Sequence, residues 1–99
     1  MKLQMHSIHF DADTKLLDFV QKKTDKLDTF YDRIIDGEVY FRLNKDVANE
    51  NKIVEIKINI PGNQLFASEQ SSTFEEAADT AVQALKRQLV KFKEKKTGR

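Results

Sequence analysis

Basic side chains crowd the segment 86–99, at the end of the chain. It holds seven of the 17 lysines and arginines and only one acid, Glu94, which gives it a net charge of +6. The remaining ten bases and 15 acids give the rest of the chain a charge of −5, and the overall value of +1 conceals this division. Bases also suit the C-terminal end of a helix dipole, but so many repel one another unless an anion lies nearby. We therefore favour a polyanionic partner over a solvated basic end.

A helix must carry these bases, and the sequence marks where it begins. Thr73 and Glu76 form a capping box, in which each side chain satisfies a backbone N–H that the first turn leaves without a partner. Apolar residues then recur at steps of three and four, which predicts one stripe that faces a core. The stripe comprises Phe74, Ala78, Ala81, Val82, Leu85, Leu89 and Phe92.

A second line of bases is predicted on an earlier helix, which runs from capping residues at 11–14 to about Tyr31. At 100° per residue, its side chains divide into three lines. The apolar line contains Leu16, Val20, Leu27, Tyr31 and Ile34, the basic line Lys15, Lys22, Lys26 and Arg33, and the acidic line Asp18, Asp25 and Asp32. For Lys15, Lys22 and Lys26, contact with a polyanion and a solvated face paired with carboxylates are equally good interpretations.

The remaining segments show a hydrophobic period of two, which predicts strands. The inward residues are Leu3 and Met5 in segment 2–8, Val39, Phe41 and Leu43 after Gly37, and Val54, Ile56, Ile58 and Ile60 after a polar hairpin loop at 45–52. Pro61 and Gly62 suit the two central positions of a turn, and a last strand follows over 65–70.

The predicted order is therefore βαβββα, an α+β fold in a single domain over 1–99. A helical crossover makes the first two strands parallel, and two hairpins extend the sheet antiparallel. Each strand has one apolar face, so both helices should cover the same face of a four-stranded mixed sheet. Tyr40 and Arg42 would then lie on the open face, where they suit a nucleobase or a phosphate, although Tyr40 is also an ordinary exposed strand aromatic.

Enzyme, metal and cofactor chemistry find little support. The chain has no cysteine and only three glycines, and it shows neither a nucleophile elbow nor a P-loop. His6, His9, Asp11 and Asp13 lie close in sequence, but two histidines on a strand and a loop are more typical of a polar surface than of a metal site. We expect no catalysis, no metal, no cofactor and no small-molecule substrate.

No apolar run approaches a membrane span of about 20 residues, and the first residues lack the apolar core of a signal peptide. We therefore expect a cytoplasmic protein with no membrane partner.

Two segments, 17–34 and 81–95, resemble the two helices of the bacterial ribosome hibernation promoting factor family, which includes the ribosome-associated inhibitor protein. The most specific matches are Lys23, Lys26 and Leu27 followed by Asp32 to Ile34, and the Leu-x-Arg-Gln-Leu-x-Lys-x-Lys of 85–93. The resemblance spans the whole chain. It implies the βαβββα fold, which is similar to that of double-stranded-RNA-binding domains.

The resemblance also implies a binder that lodges in the small ribosomal subunit. Members of the family touch ribosomal RNA where mRNA and tRNAs would lie, and so store inactive ribosomes in stress or stationary phase. Nine residues match basic positions of the family pattern, and the resemblance implies that they contact RNA. They are Lys23, Lys26, Arg33, Arg42, Lys45, Arg87, Lys91, Lys93 and Lys95. Lys22 and Lys86 do not come from the family pattern. Lys22 is added because it lies on the basic line of the first helix, and Lys86 because it lies in the basic segment 86–99.

The chain departs from the family pattern at 73–79, where Glu75 and Glu76 add acid to the helix entry and argue against RNA contact there. It ends at Arg99, so the resemblance implies a short form without the domain by which long forms pair ribosomes. We expect a monomer when it is free. A generic structured-RNA-binding domain and a small regulatory module that binds a protein through the open sheet face are the alternatives.

Overall fold

The predicted mixed sheet and its two covering helices are confirmed in a computed structural model, which describes residues 1–96 and the side chains of residues 1–95. The elements are β1 (Leu3–Ser7), α1 (Thr14–Asp25), β2 (Asp36–Leu43), β3 (Lys52–Ile60), β4 (Asn63–Ser71) and α2 (Phe74–Lys96). The strands lie in the order β1-β2-β3-β4, with β1 parallel to β2 and the other two pairs antiparallel.

The register places the inward residues of all four strands side by side. Met5 lies opposite Val39, Val39 opposite Ile56, and Ile56 opposite Ala67. The buried core forms between this face and the two helices, and its largest members include Phe41, Leu27, Ile56, Ile58, Leu85 and Leu89. Within residues 1–96, no helix covers the open face of the sheet.

The capping box fixes the start of α2. The backbone N–H of Glu76 donates to Oγ1 of Thr73 at 3.0 Å. The Glu76 carboxylate accepts from the hydroxyls of Ser72 at 2.6 Å, Ser71 at 3.2 Å and Thr73 at 3.3 Å. These hydrogen bonds, that of Ser72 foremost, hold the pKa of Glu76 below its usual range.

The helical run predicted to about Tyr31 ends at Thr29 and changes its type on the way. The α-helix ends at Asp25, and a 3₁₀ turn continues over Lys26–Thr29. The hydroxyl of buried Thr24 bonds back to the carbonyl of Val20 at 2.9 Å, a contact that competes with regular helix, and Thr29 does the same within the 3₁₀ turn. Ile34 and Arg33 consequently lie beyond the helix, so Arg33 does not continue the basic line.

The α-ammonium of Met1 forms two ion pairs at the end of this helix. It lies 2.7 Å from the carboxylate of Asp28 and 2.9 Å from that of Asp25. Hydrogen bonds to Asp28 and then to Asp25 raise the pKa of the ammonium above its usual value. The end of α1 is thereby tied to the start of β1.

The hairpins follow the prediction with one exception. Gly62 has φ of 77°, which suits the second central position of the turn after Pro61. Leu43, predicted to face inward, is 41 % exposed. It is the last residue of β2 and lies beyond Phe41, against which the ring of Phe74 closes the core at 5.7 Å.

Neither helix of the described part of the chain is long and apolar enough to cross a membrane.

Candidate nucleic-acid interface

The two helices run in the same direction, and the segment after α1 lies along the C-terminal half of α2. Phe10, just before α1, stacks on Phe74 at the start of α2 with 5.0 Å between ring centroids. At the other end, Tyr31 meets Phe92 edge to face at 5.7 Å. These two ring contacts show that the helical segments lie side by side and parallel. The bases of α1 and α2 therefore lie toward the same end of the helical layer.

Most of the predicted residues are exposed there or nearby. Lys22 and Lys26 are exposed on α1 and its 3₁₀ extension, Arg33 in the connection to β2, and Lys86, Arg87, Lys91, Lys93 and Lys95 on α2. We call these eight residues, together with Lys23, the basic surface. Every member of this surface on α2 belongs to the last three turns or so of that helix.

Phe30 holds two of these lysines in place. The ammonium of Lys86 lies 4.4 Å from the centroid of its ring, which is a cation–π contact. Lys93 donates from Nζ to the carbonyl of Phe30 at 2.7 Å. A groove of about 200 Å³ lies alongside and is lined by Lys23, Lys26, Leu27, Phe30, Asp79, Val82, Gln83 and Lys86. The centre of the basic surface is therefore a shallow channel between the helices with a fixed arrangement of charge.

Lys23, a member of the basic surface, is paired with an acid. Its Nζ lies 3.1 Å from the carboxylate of Asp79 and 5.4 Å from the ring centroid of Phe19. Its side chain is 30 % exposed, so this is a partly shielded pair. Asp79 neutralises part of the positive charge at the rim of the channel.

Two further depressions flank α2. One, of about 540 Å³, runs over the outer surface of the helix and is lined by Gln83, Lys86, Arg87, Val90, Lys91 and Glu94. The other, of about 460 Å³, lies between α2 and the start of β4 and is lined by Asn63, Leu65, Gln88, Lys91, Phe92 and Lys95. We call the second one the edge groove. Lys91 belongs to both, so the basic surface extends around the helix.

Arg42 and Lys45 are not brought together with the other predicted residues. Arg42 lies on the open sheet face, where its guanidinium forms a salt bridge with Glu55. Lys45 is exposed in the loop after β2, at the end of the sheet where Phe41 meets the start of α2. The structure thus separates these two bases from the basic surface.

Tyr40 on the open face is already enclosed. His6 stacks on its ring with centroids 4.8 Å apart, and Lys57 lies over the ring at 5.8 Å. Both are neighbours across the sheet, and they reduce the room for a nucleobase to stack on Tyr40.

No three histidine or acidic side chains among the described residues come together in a way that could hold a metal ion.

The chain matches a known family over almost all of its length. The sequence profile of the family described as Sigma 54 modulation protein / S30EA ribosomal protein matches residues 3–97. The chain belongs to this family. The resemblance seen in the two helices is thereby confirmed.

Relatives of this S30EA family member carry names that concern ribosomes. A ribosome hibernation promoting factor of Klebsiella oxytoca is 30 % identical over 95 residues, which cover 96 % of both chains. A ribosome hibernation promotion factor of Deinococcus radiodurans is 32 % identical over 92 residues, which cover 91 % of this chain and 48 % of that protein. The chain thus spans about half the length of the Deinococcus relative.

Solved structures show the same fold as this S30EA family member. A ribosomal subunit interface protein from Coxiella burnetii superposes with a TM-score of 0.85 and 26 % identity, covering 95 % of this chain and 99 % of that one. The N-terminal domain of Thermus thermophilus Protein Y superposes with a TM-score of 0.82 and 24 % identity, covering 93 % of this chain and 99 % of that one. At this identity the similarity shows the fold alone.

Sequence reasoning missed three residues that shape the surface of this S30EA family member. Phe30 follows Lys22, Lys23 and Lys26 in the sequence but lies outside the predicted apolar line, so no pattern singled it out. Asn63 and Gln88, which line the edge groove, have no basic or aromatic character, so no pattern in the sequence singles them out.

Proposed function

We propose that this protein is a ribosome hibernation factor that binds the small ribosomal subunit through ribosomal RNA. The observation that carries the proposal is the convergence of two lysine sets, one from each helical segment, at one end of the helical layer. Structured RNA is recognised mainly by shape and by phosphate and 2′-hydroxyl contacts, which require cations on a rigid frame. The names of its relatives refer to the ribosome, which supports ribosomal RNA as the partner.

The arrangement can bind RNA in the following way. Exposed Lys22, Lys26, Arg87 and Lys91 reach phosphates, while Lys86 and Lys93 keep fixed positions on Phe30 and set the spacing of the channel. Each neutralised phosphate releases condensed counterions, so binding should weaken steeply with salt. The acidic remainder of the chain limits indiscriminate binding to nucleic acid.

On the subunit, the protein would occupy the region near the decoding and tRNA sites and exclude mRNA and tRNA. It would thereby inhibit translation and store inactive ribosomes in the cytoplasm during stress or stationary phase. Residues 1–99 would act as one ribosome-binding domain, and the segment 86–99 would be its basic end. Catalysis has no part in this role, and the free protein would be a monomer.

Competition with tRNA tests this proposal. Labelled tRNA is bound to small subunits programmed with mRNA, and the protein is titrated in during filter binding. We expect retained tRNA to fall as subunits fill, and higher tRNA concentrations to restore it. Simultaneous saturation by tRNA and the protein would contradict the blocking role and would favour a generic RNA-binding domain.

A regulatory module that binds a protein through the open sheet face has less support. The charged groups Arg42 and Glu55 pair with each other on that face, and Tyr40 is enclosed by its neighbours.

A further inference from the structure

We infer that the free edge of β4 pairs with an extended, acidic segment of another protein, which adds to the sheet as a further strand. β4 is the last strand of the sheet, so within residues 1–96 one of its edges has no neighbouring strand. Strand addition to such an edge is a common way of binding a peptide. Binding there does not depend on the proposed function, although Lys91 and Lys95 belong both to the edge groove and to the basic surface.

The two edges of the sheet differ in how well they are protected from strand addition. β1, at the other edge, has only 5 residues and directly follows Lys2. β4 has 9 residues, contains neither proline nor lysine, and pairs with β3 in an unbroken register without a bulge. Short length, lysine, proline and bulges are the features that normally protect an edge. β4 has none of them and is therefore open to a partner strand.

The backbone groups at the free edge of β4 come from Gln64, Phe66, Ser68 and Gln70. The N–H of Gln64 and the carbonyl of Phe66 each bond to a side chain that lies outside the ladder with β3. These two residues therefore turn their backbone groups away from β3. Both groups of a strand residue point to the same side, and the side alternates along the strand, so Ser68 and Gln70 face the free edge as well.

Two side chains occupy part of this edge. The N–H of Gln64 donates to Oδ1 of Asn63, and the carbonyl of Phe66 accepts from Nε2 of Gln88, each at 2.8 Å. The groups that remain free within residues 1–96 are the carbonyl of Gln64, the N–H of Phe66, and both backbone groups of Ser68 and Gln70. The carbonyl of Phe66 has a second lone pair, so a partner strand can share it with Gln88.

A polypeptide suits this edge better than RNA does. Free carbonyls alternate with free N–H groups along β4, and a carbonyl oxygen repels a phosphate. An extended chain repeats its own donors and acceptors at the same spacing, every second residue or about 6.7 Å, so it can pair with both kinds of group. A segment of about five to seven residues would extend from Gln64 to Gln70.

The surroundings of the edge indicate which side chains the segment carries. A residue level with Leu65 would point to the helix side, into the edge groove, where exposed Lys91 and Lys95 favour a carboxylate. A residue level with Phe66 would point to the open face, where the ring of Phe66 is 46 % exposed and favours an apolar side chain. Glu69, the one acid of β4, is also on the helix side and confines the acidic contacts to the half of the strand around Leu65. The segment should therefore alternate acidic and apolar residues.

Amide hydrogen exchange measured by NMR, with and without a model peptide, tests the inference. The probe is a short capped peptide in which valine alternates with glutamate. We expect the amide protons of Phe66, Ser68 and Gln70 to exchange more slowly when the peptide is bound. The amide of Gln64, which already bonds to Asn63, should change little. The same peptide with lysine in place of glutamate should give no protection.

Variants separate strand pairing from charge. Ser68→Pro removes one N–H from the free edge, where proline is tolerated, and should lower the affinity for the peptide about three- to tenfold. Ser68→Val keeps that N–H and should bind as the wild type does. Lys91→Glu combined with Lys95→Glu should lower the affinity about tenfold. Lys2→Glu combined with Lys15→Glu reverses two exposed charges away from β4 and should have no such effect.

Several outcomes would overturn the inference. If the peptide leaves the three amides unprotected, or if folded Ser68→Pro binds it as tightly as the wild type, no strand adds to β4. If a short single-stranded RNA protects the same amides, the edge binds RNA instead. If protection appears without peptide and rises with protein concentration, the edge pairs with a second copy.

Melting curves show whether Ser68→Pro keeps the fold. If it unfolds, amide exchange in the wild type and the two lysine double variants still decide the outcome. No ribosome is present in these measurements, so their failure would leave the proposed function standing.

Discussion

Lys23 lies 3.1 Å from Asp79, so a lysine of the basic surface on α1 is held by a carboxylate from the acidic entry of α2. Asp79 therefore acts on the basic surface directly. Asp79 lowers the positive potential at the rim of the channel and competes with phosphate for Lys23. The pair thus limits how strongly this part of the surface can hold RNA.

Releasing Lys23 from this pair should strengthen RNA binding. We expect Asp79→Asn to raise the affinity for small subunits about two- to fivefold at low salt, the range given by an exposed or half-exposed ion pair. Its melting temperature should change little for the same reason. Glu75→Gln is the matched control, since it removes an equal charge from the first turn of α2 without touching a lysine. Equal gains in both variants would mean that only net charge matters.

Truncation in the core should destabilise the protein strongly. Ile56 and Leu85 are fully buried, on β3 and α2 respectively. Changing either to alanine removes apolar contacts and leaves a cavity, which should lower the free energy of unfolding by about 2–5 kcal/mol. Urea denaturation measures this loss. Val90→Ala, on the exposed side of α2, should cost far less, and a similar loss there would show that α2 packs through a different face.

The cap of α2 should make stability depend on pH. Because hydroxyl hydrogen bonds lower the folded pKa of Glu76, its carboxylate stabilises the fold above the ordinary glutamate pKa of about 4.3. That contribution should fade as the pH falls through the lowered value, where the folded protein also protonates the group. Melting temperatures of the wild type and Glu76→Gln should therefore differ at neutral pH and converge in acid. Glu75→Gln, which lacks these hydroxyl bonds, should show no such convergence, and a constant gap for Glu76→Gln would refute the linkage.

Loss of the capping side chain itself should be measurable at neutral pH. Thr73→Ala leaves the N–H of Glu76 without its acceptor, at a cost of about 1 kcal/mol. Thr73→Ser keeps the hydroxyl and should restore most of the stability in urea denaturation. An unchanged alanine variant would mean that water replaces the cap at no cost.

The elements and the sheet order could be predicted because each depends on a short-range pattern. The alternation of Val54, Ile56, Ile58 and Ile60 is confirmed in β3, and the stripe centred on Leu85 is confirmed in α2. The order of elements then left few ways to bury both helices on one sheet.

The features that were missed depend on tertiary contacts or on the exact end of an element. The first helix changes to a 3₁₀ turn after Asp25, where the hydroxyls of Thr24 and Thr29 bond back to backbone carbonyls, although the hydrophobic period continues through Leu27. Leu43 keeps the strand period but lies past the ring that closes the core.

Pairings of charged groups could not be predicted either. Lys23 with Asp79, Lys86 on Phe30 and Arg42 with Glu55 each join residues that are distant in sequence. Periodicity placed the bases on helices, but it could not say that parallel helices would gather them at one end.

Co-sedimentation with small ribosomal subunits across a salt series tests the central claim most directly. We predict saturable binding of one copy per subunit, tighter than to a generic RNA duplex, with an affinity that falls steeply as salt rises. Lys23→Glu combined with Lys91→Glu should abolish binding and leave the melting curve nearly unchanged. Lys15→Glu combined with Lys57→Glu, which reverses the same charge away from the basic surface, should bind like the wild type. Equal binding to subunit and duplex, or the same loss in both double variants, would contradict the assignment of ribosomal RNA binding to this surface.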